Sequence, residues 1–232
     1  MARSDTAIAD ARGLGHQPSL AVTLAFGARL LLLLEHDATL ADRASQLIAM
    51  SSEQSFAYWR ALGTIYGGWV RMRYGKVTEG ISLIRSGSTA YRATGAAAWV
   101  PFHLDLLSRA YEAAGQIDEA ATLLAEALQI IESTGERWFA AELNRHKGQL
   151  LLRQGHCESA EKSYSKALTI AREHDAKLWE LRAALSVARL RRDQGRHAEA
   201  RGLLAPVYRW FTEGFHTSDL KEAKAMLTAL EG

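Results

Sequence analysis

The residues able to perform chemistry are few and scattered along the chain. Among eight histidines and a single cysteine, only His156 and Cys157 stand side by side. Zinc sites use spacings such as H-E-x-x-H or C-x-x-C, and neither accompanies this pair. No serine or cysteine falls in a recognisable nucleophile motif with a nearby base. The sequence therefore predicts no metal, no cofactor and no catalytic residues.

A second candidate is the segment Gly75-Lys76-Val77-Thr78, which resembles the end of a phosphate-binding loop. That loop requires G-x-x-x-x-G-K-[ST] after a strand, so that backbone amides surround the phosphate. Val70 occupies the position of the first glycine, Val77 occupies that of the hydroxyl residue, and the surrounding pattern is helical. We therefore expect no ATP site here.

Composition limits the class of protein. The chain has 232 residues and a net charge of +2, which gives no indication of nucleic-acid or membrane binding. A lone cysteine excludes an internal disulfide and suits a reducing cytoplasm. The longest apolar stretch, Leu20 to Leu34, is interrupted by Arg29 and is shorter than the roughly 20 residues of a membrane helix. We expect a cytoplasmic protein in which this stretch is a buried helix.

The chain repeats with a period of 40 residues, which indicates a solenoid whose units bury their apolar faces against their neighbours. Turn glycines, small residues and an aromatic recur with this period, as Gly75, Gly115, Gly155 and Gly195, as Gly80, Ala120, Ala160 and Ala200, and as Trp59, Trp99, Phe139 and Trp179. The small residues predict close helix crossings. The regularity of the aromatics favours packing between successive units over a ligand cage.

Apolar spacing within each period predicts two helices that end at a glycine turn. We predict a single domain over residues 1–232, made of a partial repeat helix (1–15), helix pairs (16–54, 55–95, 96–135, 136–175 and 176–214) and a capping helix (217–231). Thr217 is the expected N-cap of the last helix. The unit that contains Ala44 is expected to be about four residues short, because the small residue of the next unit is Gly80.

The pattern G-x4-A-x3-[LY]-x2-A resembles the tetratricopeptide repeat (TPR), whose standard period is about 34 residues. Tyr111 and Gly148 fall where that family places an aromatic and a small residue in its first helix. The longer period implies helices longer by about a turn. The expected fold is all-α, a right-handed TPR-like solenoid of helix pairs with a 40-residue period and a C-terminal capping helix.

Further segments resemble the helical-repeat C-terminal region of large bacterial signalling proteins. They are Tyr91–Gly95, Ala113–Gln116, Thr134–Trp138 with Ala141–Leu143, Asp193–Arg196, and Trp210–Phe215 with Asp219–Lys224. Proteins of that family join an adenylate or guanylate cyclase domain, or a DNA-binding domain, to an AAA-like ATPase and this tail. The resemblance places the cyclase and ATPase chemistry in domains that this chain does not contain.

In the family that the repeats resemble, the first helix of each pair lines a concave groove. Counting back from the turn glycines places Phe102, Asp105, Arg109, Glu112, Glu142, Arg145, Gln149, Arg153, Arg182, Arg189 and Arg192 on that face. The arginines suit bidentate contacts with carboxylates or phosphates. They predict an acidic peptide, a carboxylate-bearing chain end or another anionic ligand. The alternative is that these arginines form weak ion pairs at the surface with nearby carboxylates.

The sequence thus predicts a non-catalytic protein–protein interaction or regulatory module of a bacterial signalling protein. It would bind a peptide, a partner domain or its own upstream domains in the concave groove. One alternative is a small-molecule effector sensor, which a closed pocket lined by Trp69, Trp99 and Phe102 would favour. Another is a fragment of a larger cyclase or ATPase protein with no independent role, an alternative to which the half-repeat at 1–15 points.

Overall fold

The computed structural model describes residues 2–231, which form twelve helices and no strand. The helices are α1 (Ala2–Gly13), α2 (Gln17–Leu33), α3 (Asp37–Glu53), α4 (Ala57–Arg73), α5 (Val77–Ala93), α6 (Val100–Ala113), α7 (Ile117–Thr134), α8 (Ala140–Arg153), α9 (Cys157–Glu173), α10 (Lys177–Asp193), α11 (His197–Arg209) and α12 (Ser218–Ala229). The all-α prediction is confirmed. None of the helices in this described range combines the length and the apolar character needed to cross a bilayer.

A left-handed residue ends most of the helices and sets the period. At Gly75 the φ angle is +82°, and the amide of Lys76 donates to the carbonyl of Arg71 at 2.9 Å. The amide of Gly75 donates to the carbonyl of Met72 at 3.0 Å. This pair of bonds is a Schellman motif, which satisfies carbonyls at the helix end and favours glycine, because glycine has no Cβ to clash. Residues with positive φ recur every 20 residues from Gly15 to Gly195, so each 40-residue period contains two left-handed turns.

The first repeats keep the same spacing between turns, although glycine is missing from two of them. Positive φ angles occur at Gly15, Glu35, Ser55 and Gly75, which lie 20 residues apart. The expectation of a short unit around Ala44 was wrong, because it followed the small residue rather than the turn. Leu40 takes the place that corresponds to Gly80 and is fully buried. A polar residue in the left-handed conformation can replace the turn glycine at a modest energetic cost.

Contacts divide the chain into two compact units, residues 1–123 (unit 1) and 124–232 (unit 2). In unit 1, α4 contacts both α2 and α6, and these three helices form what we call the first-helix layer. Helix α3 packs between α2 and α4, and α5 packs between α4 and α6. The core between the first-helix layer and the helices α3 and α5 contains large side chains with no exposed surface, among them Tyr66, Tyr91 and Phe102.

Unit 2 repeats this arrangement. Helix α10 contacts both α8 and α12, which makes these three its first-helix layer, while α9 packs against α8 and α10 and α11 packs against α10 and α12. The core consists of small and medium-sized apolar side chains such as Ala184, Ala188 and Leu204. The small residues predicted at helix crossings, Ala160 and Ala200, have no exposed surface, as expected for helices in close contact.

Gly148 shows why the first helix of a pair requires a small residue. A Cβ atom at this position would lie 2.5 Å from Cε1 of Tyr164 and 3.1 Å from the carbonyl oxygen of Ala160. The tyrosine ring of α9 therefore lies directly against the backbone of α8. This packing explains why Gly148 fits the small-residue position of the resembled repeat.

Helix α12 covers the apolar end of unit 2, as predicted for a capping helix. Leu220, Ala223 and Met226 are buried in the same cluster as Leu204 of α11. Thr217 is the N-cap residue, as predicted, but its hydroxyl makes no bond to the helix amides. The hydroxyl donates instead to the carbonyl of Gly214 at 2.7 Å, which stabilises the turn before the helix.

Candidate functional site

The predicted groove residues of unit 1 lie mainly inside the protein. Phe102, Asp105 and Glu112 of α6 are only 0%, 1% and 7% exposed. Arg109 is half-buried and donates from Nε to Oδ2 of Asp105 at 2.7 Å. The structure differs here from the predicted solvent-facing positions, because α4 and α5 both pack against α6 and enclose it.

In unit 2, two predicted arginines form bidentate ion pairs with carboxylates of the chain. Arg145 donates to both oxygens of Glu142 at 2.9 and 2.7 Å. Arg182 donates to both oxygens of Asp219 at 2.6 and 2.9 Å, and this aspartate lies in the first turn of α12. Glu142 is 2% exposed, so it was wrongly placed on an open surface. The first pair lies within α8, whereas the second joins α10 to α12, and both leave little charge for a ligand.

Two further arginines of this predicted face, Arg189 and Arg192, are more exposed but also paired. Arg189 forms an ion pair with Glu222, and Arg192 donates to Asp193 from two nitrogens, at 2.9 and 2.7 Å. Their side chains are 38% and 39% exposed. Ion pairs at this exposure stabilise little and can exchange for a ligand carboxylate. The remaining predicted residues of unit 2 are the half-buried Gln149 and the exposed Arg153.

A different arginine, Arg29 of α2, lies buried among aromatic rings in unit 1. It is 6% exposed, and its guanidinium carbon lies 3.7 Å from the ring centre of Trp99 and 5.0 Å from that of Phe26. Its Nε donates to the hydroxyl of Tyr66 at 3.2 Å, and burial raises the pKa of that tyrosine. Among residues 2–231, its Nη1 has no hydrogen-bond partner and no carboxylate pairs with it.

Trp99 reaches this arginine from a strained backbone conformation. It is the N-cap residue of α6, with φ 65° and ψ 0°, in the left-handed region. The other described non-glycine residues with positive φ are Glu35, Ser55 and Asp175, which belong to the regular series of turns. A bulky residue in this region is uncommon and marks stored strain. That strain places the indole ring against the Arg29 guanidinium.

Beside Arg29 lies a buried cluster of polar side chains. The hydroxyl of Tyr91 donates to the carbonyl of Ala98 at 2.7 Å and lies 3.3 Å from that of Tyr58. The His103 ring stands perpendicular to the Tyr91 ring at 4.8 Å. His103 is 2% exposed, and within residues 2–231 neither of its ring nitrogens has a hydrogen-bond partner. Burial, and secondarily the charge of Arg29, lowers the pKa of His103 from 6.5 to about 3.

The low pKa of His103 makes the stability of unit 1 depend on pH. The unfolded chain binds a proton at this histidine near pH 6.5, whereas the folded protein does so only near pH 3. Stability is therefore lost as the pH falls through this range. We expect His103→Leu to flatten this loss, with wild type and variant compared by thermal unfolding between pH 7 and 4. Equal slopes for the two proteins would contradict the assignment.

Helix α2, which carries Arg29, also presents an apolar stripe to solvent. Val22, Phe26 and Leu30 of α2 are 40%, 52% and 37% exposed, and they are spaced four residues apart on one helix face. The Phe26 ring meets the Trp99 ring edge-on at 6.5 Å. Contiguous exposed apolar side chains are a common feature of binding surfaces. We call this surface, together with Arg29 and Trp99, the α2 face.

The recurring aromatics behave in two ways. In unit 2, Phe139 and Trp179 are buried and meet edge-on at 5.4 Å, which confirms packing between successive repeats there. In unit 1, Trp59 packs edge-on against Tyr58 at 4.6 Å, while Trp99 contacts Arg29. Trp99 therefore differs from the other aromatics of the series, because it contacts Arg29 at the α2 face.

The other candidate chemistries find no support in the part of the chain that the structure describes. Over residues 2–231, no three histidine, cysteine or acidic side chains are grouped closely enough to hold a metal ion. Cys157 is exposed and has a free thiol. Gly75 is the left-handed turn residue between α4 and α5, and Lys76 and Thr78 stand at the start of α5 rather than after a strand.

Arg29 was not predicted to be a site residue, although the sequence contains a signal for it. Arg29 is the charged residue that interrupts the apolar stretch from Leu20 to Leu34. A buried charge is retained in an apolar helix only where it is paired or functional, so this interruption could have marked the site. Predicting the unpaired state needed the structure, because Tyr66 comes from α4 and Trp99 from the start of α6.

A known family of helical repeats matches part of the chain, and solved structures share its fold. Residues 94–173, the stretch from just before α6 to the end of α9, match the tetratricopeptide repeat family model. No curated protein matches the chain in sequence. Solved structures do match, at low sequence identity.

PlcR from Bacillus thuringiensis, solved with the peptide PapR7 and DNA, has a TM-score of 0.74 and 11% identity, over 90% of this chain and 73% of that one. BtubC (BKLC) from P. vanneervenii has a TM-score of 0.65 and 15% identity, over 85% and 89%. A Rap protein complexed with competence and sporulation factor has a TM-score of 0.64 and 14% identity, over 91% of this chain and 63% of Rap. The matched sequence and these related folds show that the chain is built from tetratricopeptide-like helical repeats.

Proposed function

We propose that the chain is a non-catalytic interaction module that binds a peptide or a partner domain through its first helices. The observation that carries this proposal is the exposed apolar stripe of Val22, Phe26 and Leu30 on α2. Burying such a stripe against a partner is favourable by about 25 cal/mol per Å² of apolar surface. Repeats that stack rigidly present this surface with little loss of conformational freedom on binding.

Two related folds support the choice of a peptide as ligand. PlcR was solved with the peptide PapR7, and the Rap structure contains competence and sporulation factor. At 11% and 14% identity, the likeness to these proteins concerns the fold alone. The ligand of this chain must therefore be inferred from its own side chains.

The signalling context belongs to this proposal as well. The resemblance to the tails of bacterial cyclase and ATPase proteins supports a regulatory role, in which the partner is an upstream catalytic domain. A cytoplasmic location fits that role, and the single cysteine is in keeping with a reducing compartment. Neither nucleic acid nor a membrane is part of the proposed function.

The predicted arginine face of unit 2 is a second candidate binding surface, but only its exposed arginines can contact a ligand. Arg145 and Arg182 are 12% and 13% exposed and are held by bidentate pairs, so they act mainly in packing. Arg189 and Arg192 are exposed enough to exchange their carboxylates for those of a ligand. Any contribution to binding from the predicted face of unit 2 should come from these two residues and from the exposed Arg153.

A pull-down from host extract tests the proposal with three proteins. The first is wild type, the second carries Phe26→Asp and Leu30→Asp on the α2 face, and the third carries Arg189→Ala and Arg192→Ala. We expect wild type to retain a partner and the α2-face variant to lose at least 90% of it. We expect the arginine variant to retain most of it, since its charges are already paired.

A matched control separates loss of a surface from loss of folding. Leu14→Asp and Tyr74→Asp change two large side chains, 78% and 58% exposed, that do not belong to the α2 face. This control should bind like wild type, and circular dichroism should give all four proteins the same helix content. A partner lost only with the arginine variant would move the site to unit 2. Retention of no partner by wild type would contradict the interaction module.

A further inference from the structure

The side chain of Arg29 combines features that a purely structural arginine should not have. Buried charges in proteins are normally paired, because removal from water is unfavourable without a partner. Arg43 of the same unit follows this rule: it is 8% exposed, and its Nη2 donates to Asp5 at 2.9 Å. Arg29 is buried to the same degree, but no carboxylate of residues 2–231 pairs with it. The Nη1 atoms of both arginines lack an acceptor among these residues, so the missing carboxylate is what distinguishes Arg29.

The surroundings of Arg29 hold the guanidinium in place without neutralising it. The Trp99 ring at 3.7 Å and the Phe26 ring at 5.0 Å provide cation–π contacts, and Tyr66 accepts a single hydrogen bond. None of these groups carries a negative charge. The backbone at Trp99 is moreover strained, at φ 65°, to bring its ring to this position. Strain and an unpaired charge at one point are typical of a preorganised binding site.

We propose that Arg29 is the anion-binding centre of the α2 face and binds a carboxylate group that is attached to an apolar side chain or to a hydrocarbon chain. The carboxylate would pair with the guanidinium, and the apolar part would lie along Val22, Phe26 and Leu30. This inference names the ligand chemistry of the surface described above, and in that respect it rests on the proposed function. The shared chemistry is that of a peptide carboxylate or of a free organic acid.

Phe26 is the most exposed of the side chains that contact the guanidinium, so a ligand would enter beside it. This side chain is 52% exposed, so its ring can change rotamer without disturbing the core, on a timescale of picoseconds to nanoseconds. Trp99 is fixed by its backbone at the N-cap of α6 and remains as the stacking surface. A planar carboxylate entering beside Phe26 would meet the planar fork of the guanidinium, the geometry in which arginine binds carboxylates best.

Isothermal titration calorimetry with matched acids and amides tests the proposal. The free-acid arm uses 4-phenylbutyrate and 4-phenylbutanamide, and the peptide arm uses acetyl-Leu-Phe with a free or an amidated C-terminus. We expect at least one acid to bind and its amide to bind at least tenfold more weakly. Arg29→Met should abolish this preference, while Arg29→Lys should weaken it, because lysine keeps the charge without the fork.

Thermal unfolding without ligand provides an independent readout. An unpaired buried charge lowers stability, so Arg29→Met should leave the melting temperature unchanged or raise it by up to about 2–4 °C. Arg43→Met, the matched control, should lower it slightly, because the ion pair with Asp5, whose side chain is 56% exposed, is lost. A fall with Arg29→Met as large as that with Arg43→Met would make Arg29 a structural cation and overturn the proposal.

The outcomes separate this inference from the wider function. If neither acid is preferred over its amide, the carboxylate site is wrong even where the pull-down retains a partner through the α2 face. If an acid binds through Arg29 and the pull-down retains no protein, the site is real and the interaction module fails. Binding of 4-phenylbutyrate alone identifies a free organic acid as the ligand, and binding of the peptide acid alone identifies a chain end.

Discussion

Replacing Gly80 with alanine is expected to lower the free energy of unfolding by about 1–3 kcal/mol, the usual effect of inserting a methyl group into a packed interior. A Cβ atom at this position of α5 would lie 2.7 Å from Cβ of Met72, 2.8 Å from the carbonyl oxygen of Gly68 and 2.9 Å from the amide nitrogen of Met72. Two of these three atoms belong to the backbone of α4 and cannot move away as a flexible side chain would. Gly80→Leu should have a still larger effect.

Gly202 supplies the matched control. It also lies within a helix, α11, but nothing stands within 4 Å of a Cβ atom built there. Gly202→Ala should therefore raise the free energy of unfolding by about 0.5–1 kcal/mol, because glycine loses more conformational freedom on folding. Urea unfolding monitored by circular dichroism measures both variants. If Gly80→Ala also stabilises the protein, the close approach of α4 and α5 is not real.

Asp219→Ala is expected to lower the stability of unit 2 by about 3 kcal/mol, the low end of the range for breaking a buried ion pair. Arg182 and Asp219 are only 13% and 11% exposed and share two hydrogen bonds. Removal of the carboxylate leaves the guanidinium buried, although a Glu142 oxygen at 3.9 Å can take up part of its charge. Because this pair joins α10 to α12, hydrogen exchange in α12 should also become faster.

Two further variants test whether the loss of stability in Asp219→Ala comes from a buried charge left without its partner. Arg182→Met combined with Asp219→Ala should recover most of the loss, because no unpaired charge then remains. Glu231→Ala breaks an ion pair with Arg201 at the surface, where the side chains of Arg201 and Glu231 are 53% and 57% exposed. This variant should change stability by less than about 1 kcal/mol. A loss of the same size for Asp219→Ala and Glu231→Ala would contradict the structural role of the buried pair.

The sequence alone determined the helices, their period and the class of fold. Left-handed turns such as Gly75 and apolar spacing along each helix are local features, and they can be recognised without knowing what lies across the core. Close helix contacts were also predictable at Ala160 and Gly148, because only a small residue permits them. The exception was the start of the chain, where Glu35 and Ser55 replace the turn glycine and the period could not be seen from glycines alone.

Only the tertiary structure decided which charges on the first helices are available to a ligand. Counting along a helix placed Asp105, Glu142 and Arg145 at an open groove, yet each is buried or nearly so and forms an ion pair. Arg29 was predicted to be simply part of a buried helix, yet it is an unpaired cation beside an exposed apolar stripe. Exposure and pairing depend on side chains that other helices contribute, so no count within one helix can predict them.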